Sequence, residues 1–153
     1  MFSLKHRIPP PLVALVLLPC MGLLSWVVPG ISAGLPVRLT LASGVALAGL
    51  CFSLAGVHAF RRARTTVNPL RPERASALVT TGVYRITRNP MYVGMALMLL
   101  AWAVLLASPA ALAGPVTFIA YMNRFQIGPE EDALDTLFGP DYAAYRSRVR
   151  RWL

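Results

Sequence analysis

The sequence predicts an all-α fold: a polytopic membrane helix bundle of about four transmembrane helices, with a C-terminal amphipathic helical segment on the cytoplasmic side. Three features carry that expectation. The 153 residues are 56% hydrophobic and only 14% charged, against about 25% charged in an ordinary soluble domain. The apolar residues gather into four long runs. The charge is strongly basic, 15 Lys+Arg against 6 Asp+Glu for a net +9, and it flanks those runs. This composition excludes a disordered chain. Nucleic-acid binders are also basic, but they are not this apolar, so no nucleic-acid partner is expected. The length suits one domain over 1–153.

The first run, Pro11 to Val28, holds no charge. At about 1.5 Å per residue it covers about 27 Å, close to a bilayer core. Pro19 predicts a kink in it. Lys5-His6-Arg7 ahead of it also outlines a signal peptide. The run is long for that, however, and the small residues after Gly30 make a weak cleavage site. The second run is Leu39 to Phe60, uncharged except for His58. The third is 91–108, and the fourth, about 110–125, is shorter. Ser108-Pro109 marks a tight turn, so runs three and four form an antiparallel hairpin. Seven arginines (61, 62, 64, 71, 74, 85 and 88) lie between runs two and three, against one acid, Glu73. Five more, Arg124, Arg146, Arg148, Arg150 and Arg151, lie at the end of run four or beyond it, whereas the turn between three and four has none. Positive-inside counting then places both termini and the 61–90 loop in the cytoplasm, as in a bacterial inner-membrane protein. Beyond run four, Leu134, Leu137, Phe138, Tyr142, Tyr145, Val149 and Trp152 recur at helical spacing, broken at Gly139-Pro140. Such a helix would lie on the membrane with its arginines near anionic lipid. Cys20 and Cys51 sit inside apolar runs, and the sequence has no CxxC or HExxH, so neither a disulfide nor a metal site is expected.

No charge sits well inside the runs, which places any chemistry at the cytoplasmic surface. Two segments there stand out. In Arg88-Asn89-Pro90, Asn reads as an N-cap and Pro as the first helical residue. That arrangement is either a plain helix start or, with Arg88 beside it, an anion site. Tyr84 and Tyr92 would add aromatic walls, and Gly82 and Gly94 would allow close approach of a ligand or a helix. In Gly128-Pro129-Glu130-Glu131-Asp132, the acids either complement a helix dipole or receive a cationic or polyhydroxylated ligand. Five of the six acids fall within 130–141. A zwitterion carrying a sugar, such as S-adenosylmethionine, suits both segments.

Residues 78–94, Leu-Val-Thr-Thr-Gly-Val-Tyr-Arg-Ile-Thr-Arg-Asn-Pro-Met-Tyr-Val-Gly, resemble the signature of the isoprenylcysteine carboxyl methyltransferases and the related phospholipid N-methyltransferases. Residues 130–149 resemble the C-terminal Glu-Glu…Phe-Gly-x-x-Tyr-x-x-Tyr motif of the same family. The resemblance covers 78–153. It implies an integral membrane methyltransferase that uses S-adenosylmethionine without a Rossmann domain, and no GxGxxG occurs here. It implies that Leu78, Val79, Tyr84, Asn89, Pro90, Tyr92 and Glu130 touch the cofactor, with Glu131 close by. Arg88 and Gly94 join them from the reading of the helix start. Arg124 and Gln126 lie where the family places a substrate-side arginine, and Gln126 stands in its place. With Glu131 they are the candidate catalytic residues. Asn89 replaces the histidine of the carboxyl methyltransferases, as in the phospholipid enzymes, whereas the tail is closer to the carboxyl enzymes. The expected acceptor is a lipophilic molecule from the bilayer, an isoprenylcysteine-type carboxylate first and an aminophospholipid second. Membrane lipids are the other expected partners. Two further classes stay open: an NADPH-dependent membrane reductase, whose sterol-reducing members carry a similar Arg-x-Pro-x-Tyr segment, and a non-enzymatic membrane protein.

Overall fold

The computed structural model describes residues 8–28, 30–63 and 77–153. The expected signal-like Lys5-His6-Arg7 and the loop charges Arg64, Arg71, Glu73 and Arg74 lie outside the described residues. Among the described residues five α-helices follow in order: α1 Pro10–Val27, α2 Leu35–Arg62, α3 Pro90–Leu106, α4 Ala113–Tyr121 and α5 Gly128–Arg148. A π-helical turn, Met122–Ile127, joins α4 to α5. No strand occurs among the described residues, only an isolated parallel bridge between Thr87 and Arg150. The chain is an all-α helix bundle.

α1 and α2 are long and apolar enough to cross a bilayer, and α3 is apolar over 17 residues. Only 11% and 17% of the apolar windows of α1 and α2 are buried. The core helix of a soluble protein would bury most of such a window. Here Leu15, Leu23 and Trp26 of α1 and Leu41, Leu47 and Leu54 of α2 are exposed instead. An outer surface of this kind is stable against lipid and costly against water. Cys20 and Cys51 are free and exposed on these two helices.

The most extensive interface joins α2 to α3. Gly49 and Gly56 of α2 and Gly94 of α3 are buried in it. A Cβ added at Gly94 would stand 2.5 Å from the Gly49 carbonyl oxygen and 3.0 Å from the Ser53 amide nitrogen. Small residues that let two backbones touch are how helices associate where lipid removes the hydrophobic drive between them. α1 closes on α3 and α4, where Met21, Leu99, Phe118 and Met122 form the packed core. The Trp102 indole N–H ties α3 to α1 through the Leu18 carbonyl at 3.1 Å.

Two boundaries differ from the expected runs. α2 starts at Leu35 rather than 39 and so contains Arg38. Arg38 donates from Nε to the Leu105 carbonyl at 2.8 Å, and from a second nitrogen to the same oxygen. A cation on a carbonyl in the last turn of α3 satisfies one of that helix's orphan acceptors, so the charge does not end the helix before it. The second difference is in how α5 begins: it starts at Gly128, where Gly128-Pro129 predicts a helix start, but not as a fresh helix. The structure runs helically through that pair. Pro129 has no N–H for the Phe125 carbonyl and would clash with it in α geometry. The turn before it widens to π spacing, with the Gly128 N–H donating to Asn123 O, and α5 follows directly. The break expected at Gly139-Pro140 is present: Gly139 has φ 46°, ψ −118° inside α5. A residue with a Cβ would be strained there.

Candidate active site

The hairpin of α3 with α4 and α5 returns the chain to the level at which α3 begins. An open cleft of about 830 Å³, continuous with solvent, lies there. Leu78 and Val79 line it from the segment before the 3₁₀ turn Gly82–Arg85, and Tyr84 lines it from that turn. Arg88, Asn89 and Tyr92 line it from the start of α3, and Glu130, Glu131 and Leu134 from α5. Eight of the expected site residues thus meet around one space, joined by Leu134, which the sequence marks only as part of the apolar stripe, although about forty residues separate Asn89 from Glu130.

Two carboxylates in adjacent positions have opposite surroundings. Glu130 Oε1 accepts from the Tyr92 hydroxyl at 2.6 Å and from the Gln126 amide at 2.8 Å. Burial raises its carboxyl to about 7, the two hydrogen bonds oppose the rise, and Glu131 adds to it. Glu131 is 7% exposed and is gripped by two guanidiniums. Arg88 donates to it at 2.7 Å, and Arg151 donates at 3.1 Å and 2.5 Å. Burial pushes its carboxyl up, but the hydrogen bonds and charges of Arg151 and Arg88 outweigh that and hold it below the usual range. One carboxylate is thus locked ionised, and its neighbour titrates near neutrality.

Asn89 does not act as the expected side-chain cap. It has φ −129°, ψ 54° and makes no capping bond. Its Nδ2 donates instead to the Arg151 carbonyl at 3.0 Å. A second partner competes for the amide, because residues 149–152 return alongside 87–89. The Arg88 N–H donates to Arg150 O at 2.9 Å, and the Thr87 hydroxyl donates to Arg151 O at 3.0 Å.

The remaining expected residues sit elsewhere. Pro90 is buried as the first residue of α3, near Gly56 of α2. Gly94 lies in the α2–α3 interface, where its small size lets the two backbones touch. Gln126 is buried and reaches the site through Glu130. Arg124 is exposed on the π turn and does not line the cleft. The acidic cluster divides: Glu130 and Glu131 face the cleft, whereas Asp132, Asp135 and Asp141 are exposed.

Sequence reasoning missed Phe60, Met91, Tyr142 and Tyr145 as lining residues. The tyrosines belong to the apolar stripe of the tail and read there as packing. Phe60 packs edge-on against Tyr84, with centroids 5.3 Å apart and planes at 71°. The Tyr145 hydroxyl donates to the Tyr84 carbonyl at 2.7 Å. Burial raises the Tyr84 and Tyr145 phenols well above their ordinary value and pushes Tyr142 up to about 12, so all three stay protonated. Tyr145→Phe removes the donor from a buried carbonyl, at a cost of about 1–3 kcal/mol. The expected outcome is a lower thermal unfolding midpoint with the helical circular-dichroism spectrum preserved.

Comparison with known proteins places the chain in a family. The sequence is 44% identical over 63 residues to an uncharacterized protein of Haemophilus influenzae, a match covering 41% of this chain and all of that protein. It is 34% identical over 91 residues to protein-S-isoprenylcysteine O-methyltransferase B of Arabidopsis thaliana, covering 58% of this chain and 45% of the plant enzyme. The chain therefore matches less than half the length of that enzyme. No solved structure matches it. The profile of the phospholipid methyltransferase family matches residues 37–141, which include most of α2, all of α3, the π turn and both glutamates of the cleft. The chain belongs to the phospholipid methyltransferase family and is a membrane methyltransferase by that membership.

Proposed function

We propose that the protein transfers a methyl group from S-adenosylmethionine to a lipophilic acceptor that enters from the bilayer. The observation that carries this reading is the pair of adjacent carboxylates on one cleft wall at the mouth of a lipid-facing bundle, Glu130 bonded to Tyr92 and Gln126 and Glu131 to Arg88 and Arg151. The residues present suit the cofactor. Glu130 can face a cation. Arg88 and Arg151 together carry one more positive charge than Glu131 cancels, which suits a carboxylate. Phe60, Leu78, Val79 and Leu134 offer apolar contact. When bound, S-adenosylmethionine supplies an electrophilic methyl group on a sulfonium. The chain's own part is to align the acceptor and keep water out. Tyr92 and Gln126 fix the Glu130 carboxylate for this, and the Glu131 pairs fix the start of α3 against α5.

The first acceptor reading is an isoprenylcysteine-type carboxylate, supported by the likeness to the plant methyltransferase. Such a nucleophile needs no proton removed. A second reading, an amine headgroup, is favoured by Gln126 beside Glu130, where a neutral amide adjoins a carboxyl that titrates near neutrality. That carboxyl can take the proton an ammonium must lose before its nitrogen can attack. The arginine distribution supports both termini in the cytoplasm of a bacterial inner membrane, with the cofactor reached from that side. The test uses detergent-purified protein, methyl-labelled S-adenosylmethionine, and in parallel a prenylcysteine, phosphatidylethanolamine and a membrane lipid extract. Label should pass to an organic-soluble product. Absence of cofactor binding by calorimetry, or binding of NADPH in its place, would overturn the reading.

A further inference from the structure

Residues 149–152 were legible in sequence only as basic and interfacial. In the structure they are built into the rim of the cleft. The Arg151 carbonyl is held by the Thr87 hydroxyl and by Asn89 Nδ2, each at 3.0 Å. The Trp152 indole donates to Asn123 on the π turn at 3.0 Å. The backbone on both sides of the Arg151 side chain is therefore anchored, and the guanidinium reaches Glu131 from a fixed base. It makes two of the three bonds that Glu131 receives, one on each oxygen, whereas Arg88 makes one.

The charge balance follows from that division. Arg88 also donates to the carbonyls of Val149 and Arg146, which carry no net charge. Its Nε is buried without a hydrogen-bond partner among the described residues, and Arg88 lines the cleft. The Arg88 side chain is 10% exposed, so its charge is little screened, whereas Arg151 is 37% exposed at the rim. If Arg151 were absent, Glu131 would cancel Arg88 alone and the Arg88–Glu131 pair would be neutral. With Arg151 present, one positive charge remains.

We propose that Arg151 is a positioning residue that sets ligand selectivity: by sharing Glu131 from the rim, it leaves the Arg88 guanidinium, which lines the cleft, with a charge that Glu131 does not fully cancel, and that charge attracts an anionic group of the ligand. This rests on the cofactor reading above and identifies what selects the amino-acid carboxylate of that cofactor. Arg151 acts through Glu131 and Arg88 and need not touch the ligand.

The test compares calorimetric binding of S-adenosylmethionine with that of decarboxylated S-adenosylmethionine, which lacks only the anionic group. The proteins are the parent, Arg151→Gln, Arg151→Lys and Arg148→Gln. Arg148 is exposed and carries the same charge away from the cleft. The parent should prefer the carboxylate-bearing ligand. Arg151→Gln should reduce that preference roughly fivefold, the scale of one partly exposed ion pair. Its affinity for the decarboxylated ligand should change little. Arg151→Lys keeps the charge with fewer bonds and should give an intermediate preference. Arg148→Gln should behave as the parent. If Arg151→Gln weakens both ligands equally, the residue is only structural and the proposal is overturned. Should that variant unfold, Arg151→Lys carries the test, and a preference equal to the parent's overturns the proposal. A parent that binds neither ligand overturns the cofactor reading, a result distinct from a parent that binds both without preference.

Discussion

Gly94→Val should force α2 and α3 apart and cost the protein about 3 kcal/mol or more of its stability. The Cβ position at Gly94 already falls 2.5 Å from the Gly49 carbonyl oxygen, and that oxygen belongs to backbone in the middle of a 28-residue helix. No rotamer change relieves such a contact, so one helix must move. Overpacking in a well-packed interior costs about 1–3 kcal/mol when side chains can adjust. With backbone on the facing side, the upper end or more is expected. Gly44→Ala provides the contrast, because a Cβ there meets nothing within 4 Å. It removes a helix-interior glycine and should be neutral or stabilising by about 0.5–1 kcal/mol. Thermal unfolding in detergent compares the two. The same measurement separates packing from ligand contact at Gly94, which its place in the signature segment leaves open. A Gly94→Val protein with the parent's unfolding midpoint and no cofactor binding would return Gly94 to the site.

The helices were legible because uncharged runs of bilayer length have few other uses. Their boundaries were less so, and for particular reasons. Arg38 reads as a stop signal, since nothing local shows that the Leu105 carbonyl waits 67 positions away to take its charge. Gly128-Pro129 reads as a helix start, since the π turn that absorbs the proline leaves no mark in the sequence. The cleft was legible where its residues belong to recurring segments, as with Asn89, Tyr92 and Glu130. Those segments mix ligand-facing and packing positions, however. Pro90 and Gly94 lie between and beside cleft residues yet serve the α2–α3 contact. Arg151 was not legible at all. One arginine among five after the fourth run looks like lipid-facing charge until the chain is seen to double back along Thr87–Asn89.

The two glutamates should give pH signatures of opposite sign, and Glu130→Gln should erase one of them. The Glu130 carboxyl is raised from 4.5 to about 7 in the folded protein. Between those values the unfolded chain has lost this proton and the folded one retains it. Stability of the ligand-free protein from this group is therefore full below pH 4.5 and is lost as pH rises through about 7. Glu131 is lowered, so its contribution is present above its ordinary value and is lost as pH falls through its folded value. A cationic ligand facing Glu130 needs the ionised form. Its affinity should rise with pH up to about 7, by about tenfold per pH unit for one linked proton, and level off above. Binding at pH 6 should release a proton, visible as a dependence of the calorimetric heat on the buffer's ionisation enthalpy. In Glu130→Gln the pH dependence of affinity, the proton release and the fall in stability towards neutrality should vanish together. Affinity at pH 8 should drop by at least about tenfold, the effect of removing a charged partner from a buried hydrogen bond. If the variant instead binds S-adenosylmethionine as the parent does at pH 8, Glu130 does not face the ligand's cation. The Tyr92–Glu130–Gln126 group would then serve only to join α3 to α5.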